Sequence, residues 1–222
     1  NRLLLRADIP WMYVSLIRAY EHYARQVGFR FDFGTVHDAL LNHSDVVKAL
    51  VELFRVKFDP DIDGLSPEVV DEKRLQLVER ARRTLMTFLQ GVEDITSDRV
   101  LRFFYQLIEA TVRANFYARS PRKEPQIVLK FDPRTLENFP KPRPHREIYV
   151  HHPEVRGVHL RGGPIARGGI RWSDRSADFR NEIRGLMATQ ILKNVLIVPT
   201  GAKGGFILRR PSIDAAQRRQ QA

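Results

Sequence analysis

Three cationic side chains and one amide in the second half of the chain have the types and spacing of a pocket for a small dianion. Lys203 stands among glycines in Pro199-Thr200-Gly201-Ala202-Lys203-Gly204-Gly205, and Arg167 precedes a glycine pair in Ala166-Arg167-Gly168-Gly169-Ile170-Arg171-Trp172. Gln190 and Lys193 lie between them, three residues apart on an expected helix, hence about one turn apart on the same face. A guanidinium grips a carboxylate as a fork and an ammonium meets it as a point charge. Glycines let the backbone turn tightly and approach a ligand, so the spacing predicts a tight loop around Lys203. A lysine held in such a dry place gives up its proton more readily and can then act as a base.

The elements that must position these groups fall into two textures. Over residues 1–119 apolar residues recur at three- and four-residue spacing between breakers, which predicts a helical region. Asp8 and Pro10 open a helix carrying Trp11, Val14, Leu16, Ile17 and Tyr20, which Gly28 stops; a short helix follows over residues 35–42. Ser44 is the expected cap of the next helix, ended by Asp59-Pro60; Ser66 and Pro67 open a long one ended by Gly91; Thr96 or Ser97 caps a last one running to about Ala118. The aromatics of that last helix, Phe103, Phe104, Tyr105, Phe116 and Tyr117, read as helix packing.

From Ser120 onward Pro121, Pro125, Pro133, Pro140, Pro142 and Pro144 punctuate the chain, with β-type runs at residues 127–131, 147–150 and 157–160. A helix over residues 176–194, a strand over 195–198, the glycine loop and a strand over 206–208 complete the expectation. A helix between strands gives this half an α/β character, so the whole is α+β to α/β.

With 43% hydrophobic and 28% charged residues, the 222-residue chain has the composition of a globular protein. Its longest apolar runs fall far short of the roughly 20 residues that span a bilayer. The absence of cysteine excludes disulfides and thiolate metal sites and fits a reducing compartment. Residues 1–120 hold 17 basic and 17 acidic residues, so the net charge of +11 belongs to residues 121–222. That asymmetry suits an anion-binding active site, and it equally suits a nucleic-acid-binding module; a helical scaffold without chemistry is a third reading. The start at Asn1 without methionine and the polar tract at residues 215–222 lead us to expect a fragment of a longer protein.

The segment from Gly157 to Leu208 resembles the substrate-binding domain of glutamate dehydrogenases. Val158-His159-Leu160-Arg161-Gly162-Gly163, Arg167-Gly168-Gly169-Ile170-Arg171-Trp172-Ser173-Asp174, and Lys193-Asn194 leading to Gly201-Ala202-Lys203-Gly204-Gly205-Phe206 are similar to the large, NAD-specific bacterial members. The resemblance implies an incomplete substrate-binding domain of the amino-acid dehydrogenase type over residues 120–222. It implies oxidative deamination of L-glutamate to 2-oxoglutarate with NAD, in a cytoplasmic enzyme that assembles as a homo-oligomer and binds neither nucleic acid nor membrane. By the same resemblance Lys203 is the catalytic lysine that activates water, Lys193 holds the α-carboxylate with Gln190 one turn away, and Arg167 stands where smaller relatives carry a lysine that pairs with the side-chain carboxylate. A guanidinium there occupies space differently but still favours a diacid. No G-x-G-x-x-G occurs in the chain, so the dinucleotide domain, like the family's catalytic aspartate, is expected beyond Ala222, with no cofactor-binding residue among these.

Other residues have plainer readings. Arg171, Asp174, Arg175, Arg180 and Arg184 read as a salt-bridged or solvated network around the site. His151, His152, His159 and Glu154 read as solvent-facing or hydrogen-bonded rather than metal-ligating. A nucleotide phosphate loop is excluded, since no Ser or Thr follows Lys203 and the G-x-x-x-x-G-K frame is missing.

Overall fold

The computed structural model describes residues 2–62, 70–118, 126–136, 139–193 and 199–209, which fall into two compact units. The first comprises Asn1–Glu21 and Arg30–Glu109; the second comprises His22–Phe29 and the chain from Ala110 onward.

The first unit is helical, built from α1 (Arg2–Ala7), most of α2 (Trp11–Gln26), α3 (Phe33–Asn42), α4 (Ser44–Phe58), α5 (Val70–Gln90) and α6 (Ile95–Ala110). Apolar residues at helical spacing close its core, with Leu50, Leu53 and Phe54 of α4, Leu85 and Leu89 of α5, and Val100, Phe104 and Leu107 of α6 all buried. Each such side chain contributes about 1.5–3 kcal/mol by leaving water. Tyr20 meets Phe54 edge to face, with ring centroids 6.3 Å apart. Helix ends are closed by side chains. Lys57 Nζ donates to the carbonyls of Ile108 and Glu109 at the end of α6, at 2.8 and 3.1 Å, and Arg74 donates to those of Val56, Lys57 and Asp59 at the end of α4.

Two expected caps are replaced by neighbours. Ser44 is the first residue of α4 rather than its cap, and α6 starts before Thr96, with Asp94 accepting from the Ser97 N–H at 2.7 Å. A carboxylate at that place satisfies an orphan N–H and meets the positive end of the helix dipole. Gly28 has φ +89 and ends α2 as the sequence predicts. The expected opening at Ser66 and Pro67 lies outside the described residues. The last helix stops at Ala110 instead of running to about Ala118, because Thr111 to Ala114 pair as a strand, where β-branched Thr111 and Val112 are at home.

Among the described residues the second unit forms a seven-stranded sheet: β1 (Thr111–Ala114), β2 (Ile127–Phe131), β3 (Arg146–His151), β4 (Val155–Arg161), β5 (Ala166–Arg167), β6 (Ile170–Trp172) and β7 (Thr200–Leu208), with α7 (Phe179–Lys193) before β7. The order is β1-β2-β3-β4-β7, antiparallel throughout; β5 and then β6 pair in parallel along the other edge of β7. The fold is therefore α+β, with parallel pairing confined to one edge. The three β-type runs of the sequence all lie in strands, β2, β3 and β4. The expected strand over 195–198 lies outside the described residues.

Alternation along the strands sets one face inward. Leu129, Phe131, Tyr149, Val158 and Leu160 are buried on it, beneath α7 and the last turn of α2. Tyr23 in that turn stacks on Phe131 with ring planes 3° apart and centroids at 4.2 Å.

Candidate functional site

Three of the four expected site residues meet on one stretch of β7, but by a different geometry from the loop the glycines suggest. Lys203 is not in a turn. It pairs with Leu160 in mid-strand and is half-buried. The glycines around it serve close packing rather than turning; among the described residues positive φ at glycine occurs at Gly28.

A Cβ at Gly205 would lie 2.3 Å from Ile183 Cδ1, at Gly201 2.9 Å from Gln190 Cβ, and at Gly204 2.7 Å from Ile170 Cγ1. α7 and β6 thus rest on bare backbone, and any side chain at these places would push them off. The tightest approach is at Gly168, where a Cβ would lie 1.5 Å from the carbonyl oxygen of Ala202.

Strand alternation puts Gly201, Lys203 and Gly205 on one face, and the two glycines face Gln190 and Ile183 of α7. Lys203 therefore emerges on the α7 side, between those two contacts. Arg167, on β5, is in register with Gly201 and exposed. Gln190 is half-buried, and among the described residues its Oε1 is buried without a hydrogen-bond partner. A buried carboxamide with an unused acceptor is a place where a ligand's donor or a water fits. Lys193 is the last residue of α7, one turn beyond Gln190, and exposed. Three cavities of about 470, 470 and 420 Å³ are lined by other residues.

Of the five residues read as a salt-bridged or solvated network, Arg171, Arg175 and Arg180 are ion-paired and Asp174 is exposed. Glu182, in the first turn of α7, accepts from the Ser173 hydroxyl at 2.6 Å and pairs with Arg171 at 3.3 Å, tying β6 to the helix. Arg175 pairs with Asp178, and Arg184 Nη1 donates to the Lys141 carbonyl at 2.5 Å. Arg180 goes further than a solvated network. Its side chain and that of Glu147 on β3 are both fully buried, joined through Nε to Oε1 at 2.6 Å and Nη2 to Oε2 at 2.7 Å. Its spacing with Ile183 and Met187, i, i+3 and i+7 along the buried side of α7, is the signal that marks it in the sequence.

A family model described as bacterial NAD-glutamate dehydrogenase, catalytic domain, matches residues 84–222, and one described as glutamate dehydrogenase, helical motif 3, matches residues 1–60. The NAD-specific glutamate dehydrogenase of Pseudomonas aeruginosa is 42% identical over 100% of this chain and 14% of its own length. Those of Mycobacterium tuberculosis and Halomonas elongata are 40% and 41% identical over 96% and 95% of this chain, each over 13% of its own length. The chain thus spans about one seventh of the relatives it matches. A catalytic-domain match over more than half of its residues, on a sheet whose glycines carry Arg167, Gln190 and Lys203 to one strand, means that the chain belongs to the bacterial NAD-glutamate dehydrogenase family.

Proposed function

We propose that the protein to which this chain contributes oxidises L-glutamate with NAD⁺ and water to 2-oxoglutarate, ammonium, NADH and a proton, and that this chain supplies part of its amino-acid site. The observation that carries the reading is the convergence of Lys203, Gln190 and Arg167 on residues 200–203 of β7 in a chain of this family.

Oxidative deamination needs both carboxylates fixed and a base beside the Cα–N bond. Arg167 takes the side-chain carboxylate as a fork, and Lys193 with Gln190 takes the α-carboxylate at the end of α7. Lys203, rigid in mid-strand, holds and moves the proton of the attacking water. NAD supplies the hydride acceptor. No G-x-G-x-x-G stands in the chain, so none of its residues is assigned to hold that cofactor.

The same reading makes the protein a cytoplasmic enzyme of glutamate catabolism that acts on a small molecule as a homo-oligomer, without nucleic acid or membrane as a partner. Within that reading, the exclusion of nucleic acid is supported by how the basic half uses its charge: Arg171, Arg175 and Arg180 pair with Glu182, Asp178 and Glu147, and Arg134 and Arg146 share Asp132. No helix among the described residues is long and apolar enough to cross a membrane.

Lys203→Ala in the full-length enzyme tests the assignment. Turnover should fall by about 10²–10⁴-fold while 2-oxoglutarate binding, read by calorimetry, persists. A near-normal kcat would remove Lys203 as the base.

A further inference from the structure

We infer that the buried Arg180–Glu147 pair is a positioning device for the amino-acid site: it fixes the register of α7 on the sheet and, through that helix, the seat of Gln190 beside the Lys203 strand. The inference rests on the reading of that site given above.

α7 is held in two ways. Its N-terminal end is held by polar bonds. Arg180 grips Glu147 of β3 with two hydrogen bonds, and its guanidinium lies 4.6 Å from the centroid of the Phe139 ring. Gln26 accepts from the Arg180 backbone N–H at 3.3 Å and donates to the carbonyls of Ser176 and Ala177 at 3.4 and 3.0 Å. The C-terminal end is held by shape, because Gln190 and Ile191 sit over Gly201 and Gly162, where a Cβ would come within 2.9 and 2.7 Å of them. A contact between a helix and bare glycine has no directional bond to choose one register over the next.

Gln190 lies ten residues along α7 from Arg180, about 15 Å of rigid rod, so whatever fixes one end fixes the other. A buried ion pair is a poor source of stability, since desolvating both charges offsets most of their attraction. What it adds is direction: a planar fork on a carboxylate admits one rotation and one translation of α7. Two apolar side chains of similar size would hold the helix as strongly and leave it free to slide or turn over the glycines.

The test uses the full-length enzyme with Arg180→Met and Glu147→Leu combined, which removes both charges and leaves neither buried alone. The expected result is a melting temperature within a few degrees of wild type, a glutamate KM raised about tenfold or more, and an NAD KM within about twofold. A folded double variant with unchanged glutamate KM overturns the positioning role, and so does a parallel rise of both KM values, which would mean general loosening. Where the double variant does not fold, Arg180→Lys keeps the charge and loses the fork; it should show the same one-sided rise, and wild-type constants there also overturn the role. Lys203→Ala measured alongside separates the two layers. Normal turnover in Lys203→Ala removes the reading of the site, whereas lost turnover there with an unchanged glutamate KM in the pair variants removes the positioning role alone.

Discussion

Gln190 of α7 lies against Gly201 of β7 so closely that a methyl group on the glycine would come within 2.9 Å of the Gln190 Cβ. The helix and the strand touch there with nothing between them, two residues along β7 from Lys203. Gly201→Ala should therefore displace Gln190 outward. We expect a loss of about 1–3 kcal/mol in stability and a rise of about tenfold in the glutamate KM, checked by thermal melting and steady-state kinetics.

Gly168 and Gly169 are neighbours in sequence with opposite surroundings. A Cβ at Gly168 would lie 1.5 Å from a backbone oxygen of Ala202, whereas none of the described residues comes within 4 Å of one at Gly169. Gly168→Ala should break the pairing of β5 with β7 and cost about 2 kcal/mol or more, because a carbonyl in the middle of a sheet cannot swing aside. Gly169→Ala should stay within about 0.5 kcal/mol of wild type. Denaturant midpoints of the two variants decide this.

Arg167 is exposed and in register with Gly201, so its removal leaves no buried group without a partner. Arg167→Ala should raise the glutamate KM by about tenfold or more with little change in melting temperature. Arg167→Lys should recover part of the loss, as a point charge replaces a fork. An Ala variant with wild-type KM would take Arg167 out of the site.

His22, in the last turn of α2, stacks on His151 at 5.3 Å between ring centroids. Burial, and then the positive charges of Arg156, His151, Arg209 and Arg25, lower its pKa from the usual 6.5 to about 3. The folded protein thus keeps this imidazole neutral while the unfolded chain protonates it from about pH 6.5 downward. Its contribution to stability is complete above that pH and is lost as the pH falls through the window from about 6.5 to 3. Denaturation midpoints should fall between pH 7 and pH 4, and His22→Gln should flatten the dependence.

Much of the architecture is legible in the chain because it follows local rules. The helical spacing of Leu50, Leu53 and Phe54, the stop at Gly28 and the strand at Ile127–Phe131 depend on near neighbours, and all appear where the pattern puts them. The start of α6 is less legible, since Asp94 competes for the same N–H groups as Thr96 and Ser97 and a carboxylate prevails at the positive end of a helix.

What the sequence by itself determined is the set of groups: cations flanked by glycines, an amide one turn before a lysine, and an excess of positive charge in the second half. Tertiary structure decided what the glycines are for. A run such as Gly201-Ala202-Lys203-Gly204-Gly205 is locally as fit for a turn as for a strand, since glycine has almost no conformational preference. Pairing with β4 on one side, β5 and β6 on the other, and α7 above made it a strand, and only a strand without side chains lets a helix approach so closely. The partner of Arg180 was likewise beyond local reading. Glu147 is 33 residues away, and the two charges meet because the sheet and α7 fold onto each other and leave neither any water.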